Sequence, residues 1–93
     1  MELTETQYGI LRASAHNVCM AANSKNSTDC HYMLYLLADQ IAILTGKLPE
    51  EQLCRDVQKK AKQMTIGKSF EECVKNADKI LALFIGSFTV EQQ

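Results

Sequence analysis

The stretch Cys30-His31-Tyr32-Met33-Leu34-Tyr35-Leu36-Leu37-Ala38-Asp39-Gln40-Ile41-Ala42-Ile43-Leu44 decides the fold. Cys30, Met33, Leu34, Leu37, Ala38, Ile41 and Leu44 recur at three- and four-residue spacing and share one helical face. Tyr32, Tyr35, Leu36, Ala42 and Ile43 cover much of the rest of the circumference. Asp39 and Gln40 are nearly the only polar residues in its interior. A helix that is apolar all round needs cover all round. One neighbouring helix covers one side, so C-terminal helices or a second copy of the chain must cover the other.

Upstream lies a polar tract, Asn23-Ser24-Lys25-Asn26-Ser27-Thr28-Asp29. Thr28 or Asp29 is the expected N-cap of the apolar helix, which then spans Asp29–Thr45. Before the tract, Tyr8, Leu11, Ala15, Val18, Cys19 and Ala22 make one face of a helix over Glu5–Ala22. Thr4 and Gln7 fit a capping box at its start. Gly9 costs that helix roughly 1 kcal/mol relative to alanine. A connection of about six residues makes the two helices an antiparallel hairpin.

Downstream, Gly46 is placed to end the apolar helix and Pro49 to begin the next. The third helix, Pro49–Met64, carries one stripe of Leu53, Cys54, Val57, Ala61 and Met64, with Arg55, Lys59, Lys60 and Lys62 off it. Glu50 and Glu51 lie at the positive end of its dipole. Gly67 breaks the chain, and Ser69 with Glu72 forms a second capping box. The fourth helix has a stripe of Phe70, Cys73, Val74, Ala77, Leu81 and Phe84, widened by Ile80, Leu83, Ile85 and Phe88. No sustained alternation signals a strand. The expected fold is all-α: a helical hairpin plus two C-terminal helices in a single domain over residues 1–93, assembled as an oligomer.

Composition bounds the function. A chain of 93 residues buries only about two-thirds of its unfolded surface, and oligomerisation is a common remedy. The net charge is −1, which supports no broad electrostatic claim on duplex nucleic acid or membrane. The longest apolar run, Ile80 to Ile85, is far short of a membrane span. Cys19, Cys30, Cys54 and Cys73 all sit on helical apolar stripes, where free cysteine behaves as a small hydrophobe. The opening Met1-Glu2-Leu3-Thr4-Glu5 is acidic and has no apolar run, so a reducing, cytoplasmic setting is expected.

Catalytic and metal signals are weak. No close Cys-x₂-Cys pair suits structural zinc, and adjacent Cys30 and His31 point about 100° apart on a helix. His16 and Cys19 are close enough to touch, but no glycine-rich segment offers an oxyanion hole. The lysines at 59, 60 and 62 with Arg55 read as a solvated helix face. Gly67-Lys68-Ser69 lacks the first glycine and the strand of a phosphate-binding loop. No enzyme activity, metal or cofactor is expected.

The remaining candidates concern binding. Residues 1–48 hold only Arg12, Lys25 and Lys47 as cations, with Glu2, Glu5, Asp29 and Asp39 as anions. Tyr8 and Arg12 are one helical turn apart, so one ligand can meet both. Tyrosine stacks on a base, and arginine stacks or pairs with phosphate. Lys25 adds a point charge at the polar turn, and Ser27 and Thr28 add hydroxyl donors. Within one hairpin Tyr8 and that turn are separated by roughly 20 Å, so sharing a small ligand requires two subunits. The plainer reading makes Tyr8 a core aromatic and Lys25 a solvated turn lysine.

Tyr8-Gly9-Ile10-Leu11-Arg12-Ala13-Ser14-Ala15, a polar turn and a long apolar second helix together resemble a known phage hairpin. It is that of the anti-CBASS cyclic-nucleotide sponges, shared with an anti-Thoeris sponge. The similarity covers roughly residues 5–45, and its motif is loose: Tyr-x-x-(Ile/Leu)-Arg-x-x-Ala, then a Ser/Thr-bearing turn. The resemblance implies a small all-helical homo-oligomer, a hexamer, in the host cytoplasm. It would hold cyclic di- or trinucleotides between subunits without cleaving them. Tyr8 would then stack on a base, Lys25 would neutralise phosphate and Thr28 would donate from its hydroxyl, with Arg55 a candidate for trinucleotides. The longer, charge-rich C-terminal half departs from that family.

The competing expectation is a helical protein–protein module, such as an inhibitor that docks on a host enzyme through an exposed patch near Ile80–Phe88. A purely structural assembly protein is a third.

Overall fold

The computed structural model describes residues 1–91. In chain order it consists of β1 (Glu2–Leu3), α1 (Glu5–Asn23), α2 (Ser27–Thr45), α3 (Glu51–Thr65), α4 (Phe70–Ile85) and β2 (Thr89–Val90). The protein is thus all-helical apart from one two-residue strand near each end of the described chain. Those strands pair in parallel, with Glu2 opposite Thr89 and Leu3 opposite Val90. No sequence signal anticipates them, because two residues are too few for alternation to register. Their function is local: Leu3 is fully buried, and the backbone bonds Thr89 N–H to Met1 O (2.9 Å) and Glu91 N–H to Leu3 O (2.7 Å) hold it in the core.

Helix α1 is the centre of the fold and packs against all three other helices, most extensively against α2 and α4. Small residues make this possible. Ala15, Val18, Cys19, Ala21 and Ala22 are all buried on α1, so neighbours approach closely from several sides. The predicted stripes of α2 and α3 likewise face the core through Leu34, Leu37, Ala38 and Ile41, and through Cys54, Val57 and Ala61. On α4 the buried set is Cys73, Ala77, Ile80 and Leu81, while Phe70, predicted to belong to the stripe, is exposed. Phe70 opens the helix, beyond the reach of the core, and its ring stands nearly perpendicular to that of His16, with centroids 5.7 Å apart.

Thr4 and Gln7 form the predicted box, with both reciprocal bonds present. Ser69 accepts from the Glu72 N–H at 3.3 Å. The N-cap of α2 is Asn26, not Thr28 or Asp29; its side chain accepts from the Asp29 N–H at 3.0 Å and donates to Asp29 Oδ2 at 2.8 Å. Thr28 and Asp29 therefore lie inside the first turn. Pro49 precedes the cap of α3 rather than occupying its first turn, since Glu50 is the cap residue. Gly46 ends α2 in the left-handed region as expected.

The shortest dimension across the Cα atoms is 17 Å. Since a helix with side chains is about 10–12 Å across, the fold is no more than two helices deep. Each helix consequently keeps one face open to solvent. For α2 the packing partners are α1 and, more sparingly, α3.

Candidate functional site

The Tyr8/Arg12 pair projects from α1 toward α4. There it meets a residue that the sequence reading did not single out, Asp78. The Tyr8 phenol donates to both carboxylate oxygens of Asp78, at 2.8 and 3.0 Å. Arg12 Nε stands 3.6 Å from Asp78 Oδ1. The Tyr8 ring also packs at a tilt on Phe88, with centroids 5.8 Å apart. Partial burial, then the hydrogen bond to Asp78 and the charge of that carboxylate, push the Tyr8 phenol above its ordinary pKa; Arg12 opposes this. Any anion approaching Arg12 must compete with a carboxylate already in place. Nothing local marks Asp78 in the sequence, because it is 70 residues from Tyr8 and the two meet only once α1 and α4 pack.

The polar tract occupies the opposite end of α1. From Tyr8 to Asn23 the helix extends about 22 Å. Lys25 is the one non-glycine residue with positive φ (59°) among the described residues. Its N–H bonds to Ala22 O, and the Asn26 N–H bonds to Ala21 O, which is the Schellman closure of α1. Asn23 donates through Nδ2 to Thr65 O (2.6 Å) and Lys68 O (3.1 Å), fastening the turn to the α3–α4 connection. Ser27 Oγ accepts from Lys62 Nζ at 3.1 Å. Lys62, from a distant part of the sequence, thus comes to the hydroxyl of Ser27, in the same tract as Lys25, Thr28 and Asp29. Lys25, Ser27 and Thr28 are all exposed.

Arg55 joins neither group. It pairs with Glu51 one turn back on α3, at 2.7 Å, with both side chains largely exposed. The structure therefore brings Tyr8 and Arg12 together, gathers Lys25, Ser27 and Thr28 at the far end, and leaves Arg55 apart.

The four cysteines are buried and free. Burial pushes the Cys19 thiol up to about 12, with smaller contributions from Cys73 and Cys30. Burial likewise raises Cys30, Cys54 and Cys73. Such thiols keep their protons at neutral pH and are poor nucleophiles. Among the described residues no group of three or more His, Cys, Asp or Glu side chains is arranged to hold a metal ion, and no helix is long and apolar enough to cross a membrane.

A second feature lies on the outer side of α2. Tyr32, Leu36, Asp39 and Ile43 fall within about 60° of one another around the helix. Tyr32 is 61% and Ile43 86% exposed, and Leu36 is exposed as well. Beside them, Ile10 of α1 is 51% exposed and helps line an open groove of about 450 Å³ with Leu11, Gln40 and Leu44. The C-terminal patch expected near Ile80–Phe88 is different: Ile80 and Leu81 are buried, and Leu83, Phe84, Ile85 and Phe88 pack partly against the core. The helix ends and the strand pairing fold that surface inward.

No family model, curated protein or solved structure matches the chain.

Proposed function

We propose that this protein acts by association rather than catalysis, as a small helical module that assembles with copies of itself. The observation that carries this reading is the bare apolar stripe Tyr32–Leu36–Ile43, which no element of the same chain covers. Single exposed apolar residues are ordinary, but an aligned set on one helix face marks an interaction surface. In this reading α1 and α2 form an antiparallel hairpin whose outer face is the contact surface. Sedimentation velocity and light scattering test it. Association from the tens-of-micromolar range upward is expected, together with its loss in Ile43→Asp; a strict monomer at millimolar concentration rejects it.

A second reading is favoured by the lysines at the α2 start. With Lys62 on the hydroxyl of Ser27, and Lys25 and Thr28 exposed in the same tract, the turn suits a phosphate-bearing ligand. Together with the resemblance over residues 5–45, this supports sequestration of cyclic di- or trinucleotides at subunit interfaces, as in a phage counter-defence sponge. Tyr8 of one subunit would have to meet the turn of another. Calorimetry with a panel of cyclic di- and trinucleotides decides it: heat of binding that Lys25→Ala abolishes is expected, and no heat with any of them at tens of micromolar protein rejects it.

A further inference from the structure

The α3–α4 side of the molecule carries the charge that the α2 face lacks. Two concavities lie along the seam of α3 and α4. One, of about 420 Å³, is lined by Leu53, Val57 and Leu83 together with Lys59 and Lys60. The other, about 360 Å³, lies beside Met64 and is edged by Lys68, Lys75 and Lys79. Gln63 and Met64 are neighbours on α3, and Lys79 and Leu83 are one turn apart on α4, so the concavities adjoin end to end. Asp56 and Glu72 also line them, which leaves lysines in excess by five to two. Among the described residues none of these five lysines makes an ion pair.

The α2 ridge is the opposite: apolar, with no lysine or arginine anywhere from Ser27 to Thr45, and with the Asp39 carboxylate in line with Leu36 and Ile43. We propose that the α2 ridge of one copy docks in the lysine-edged α3–α4 groove of the next. This rests on the self-association reading above and specifies its geometry. Asp39 selects the partner surface. Covering the ridge desolvates that carboxylate, which is costly unless a cation is supplied. Ridge-to-ridge packing sets two Asp39 carboxylates near one another with no cation on either helix. The α3–α4 groove offers an apolar floor for Leu36 and Ile43 and ammonium groups for Asp39. The lengths agree as well: Tyr32 to Ile43 spans about 17 Å, within the roughly 22 Å of α3. Because ridge and groove are different surfaces, the contact is head-to-tail and continues beyond a dimer, into a ring or an open array.

A charge exchange tests the contact. Asp39→Lys places a lysine against the lysine groove. The double variant Lys60→Glu/Lys79→Glu places glutamates against Asp39. All three positions lie on exposed or half-exposed faces of their helices, and thermal melts would confirm that each variant folds. Neither variant should assemble at concentrations where the parent does, with apparent Kd raised at least tenfold. An equimolar mixture should assemble again, because each ridge then meets a groove of opposite charge. If the parent is monomeric, both the inference and the reading beneath it fall. If the parent assembles but the groove variant assembles equally well, or the mixture is not restored, the ridge-in-groove contact is wrong while self-association stands.

Discussion

Asp78→Ala is the sharpest probe of the Tyr8/Arg12 pair. It removes a phenol–carboxylate bond of 2.8 Å and an ion pair of 3.6 Å whose side chains are 41% and 49% exposed. A hydrogen bond to a charged acceptor contributes about 1.5–3 kcal/mol when well buried; at this half-open site about 1–1.5 kcal/mol is appropriate. The ion pair, screened by water, adds about 0.2–0.5 kcal/mol. Asp78→Ala should therefore cost about 1.5–2 kcal/mol, and each kcal/mol lowers Tm by about 4–8 °C in a domain of this size. Tyr8→Phe retains the ring contact with Phe88 and removes only the phenol bond, so it should cost about 1–1.5 kcal/mol. Urea unfolding of both single variants and the double variant closes a cycle, whose coupling should be about 1 kcal/mol. Additive effects, or a total cost below about 0.5 kcal/mol, would show that Asp78 does not hold Tyr8. Tyr8 and Arg12 would then be free for a ligand, and the second functional reading would gain.

Other perturbations test the rest of the fold. Leu3→Ala empties a fully buried site and loosens the strand pair; calorimetry should show a loss of about 2–4 kcal/mol, and a loss below 1 kcal/mol refutes the clamp. Gly9→Ala should stabilise by about 0.5–1 kcal/mol, since a Cβ there meets nothing within 4 Å and helix propensity improves. Lys25→Gly relieves the left-handed backbone but adds freedom to the unfolded chain, for a net gain of about 0.5–1 kcal/mol by urea unfolding. Alkaline pH should unfold the reduced protein. Cys19 rises from 9.0 to about 12 on folding, so its contribution is complete below pH 9 and is lost as pH rises toward 12. The slope is about 1.4 kcal/mol per pH unit, and Cys19→Ala should flatten it; an unchanged profile in that variant refutes the assignment.

The sequence alone determined the helices, because their causes are local. The stripes at three- and four-residue spacing, the Thr4/Gln7 box, the Ser69 cap and the Gly46 terminus each act within a turn or two, and all stand in the structure except that Phe70 leaves the α4 stripe. Misplaced features were ones where several polar residues competed within one tract: Asn26 takes the cap from Thr28 and Asp29 because its side chain engages both the backbone and the carboxylate of Asp29. The all-round apolar character of α2 was legible too, and so was the need for cover. Which face stays bare was not, since that depends on α1 taking the central place and on the fold being two helices deep. The tertiary structure alone tied Tyr8 and Arg12 to Asp78, brought Lys62 to Ser27 in the polar turn and the carbonyls of Thr65 and Lys68 to Asn23, and buried the Ile80–Leu81 surface. Each of those depends on contacts between residues far apart in the chain, where no spacing rule reaches and only packing chooses the partner.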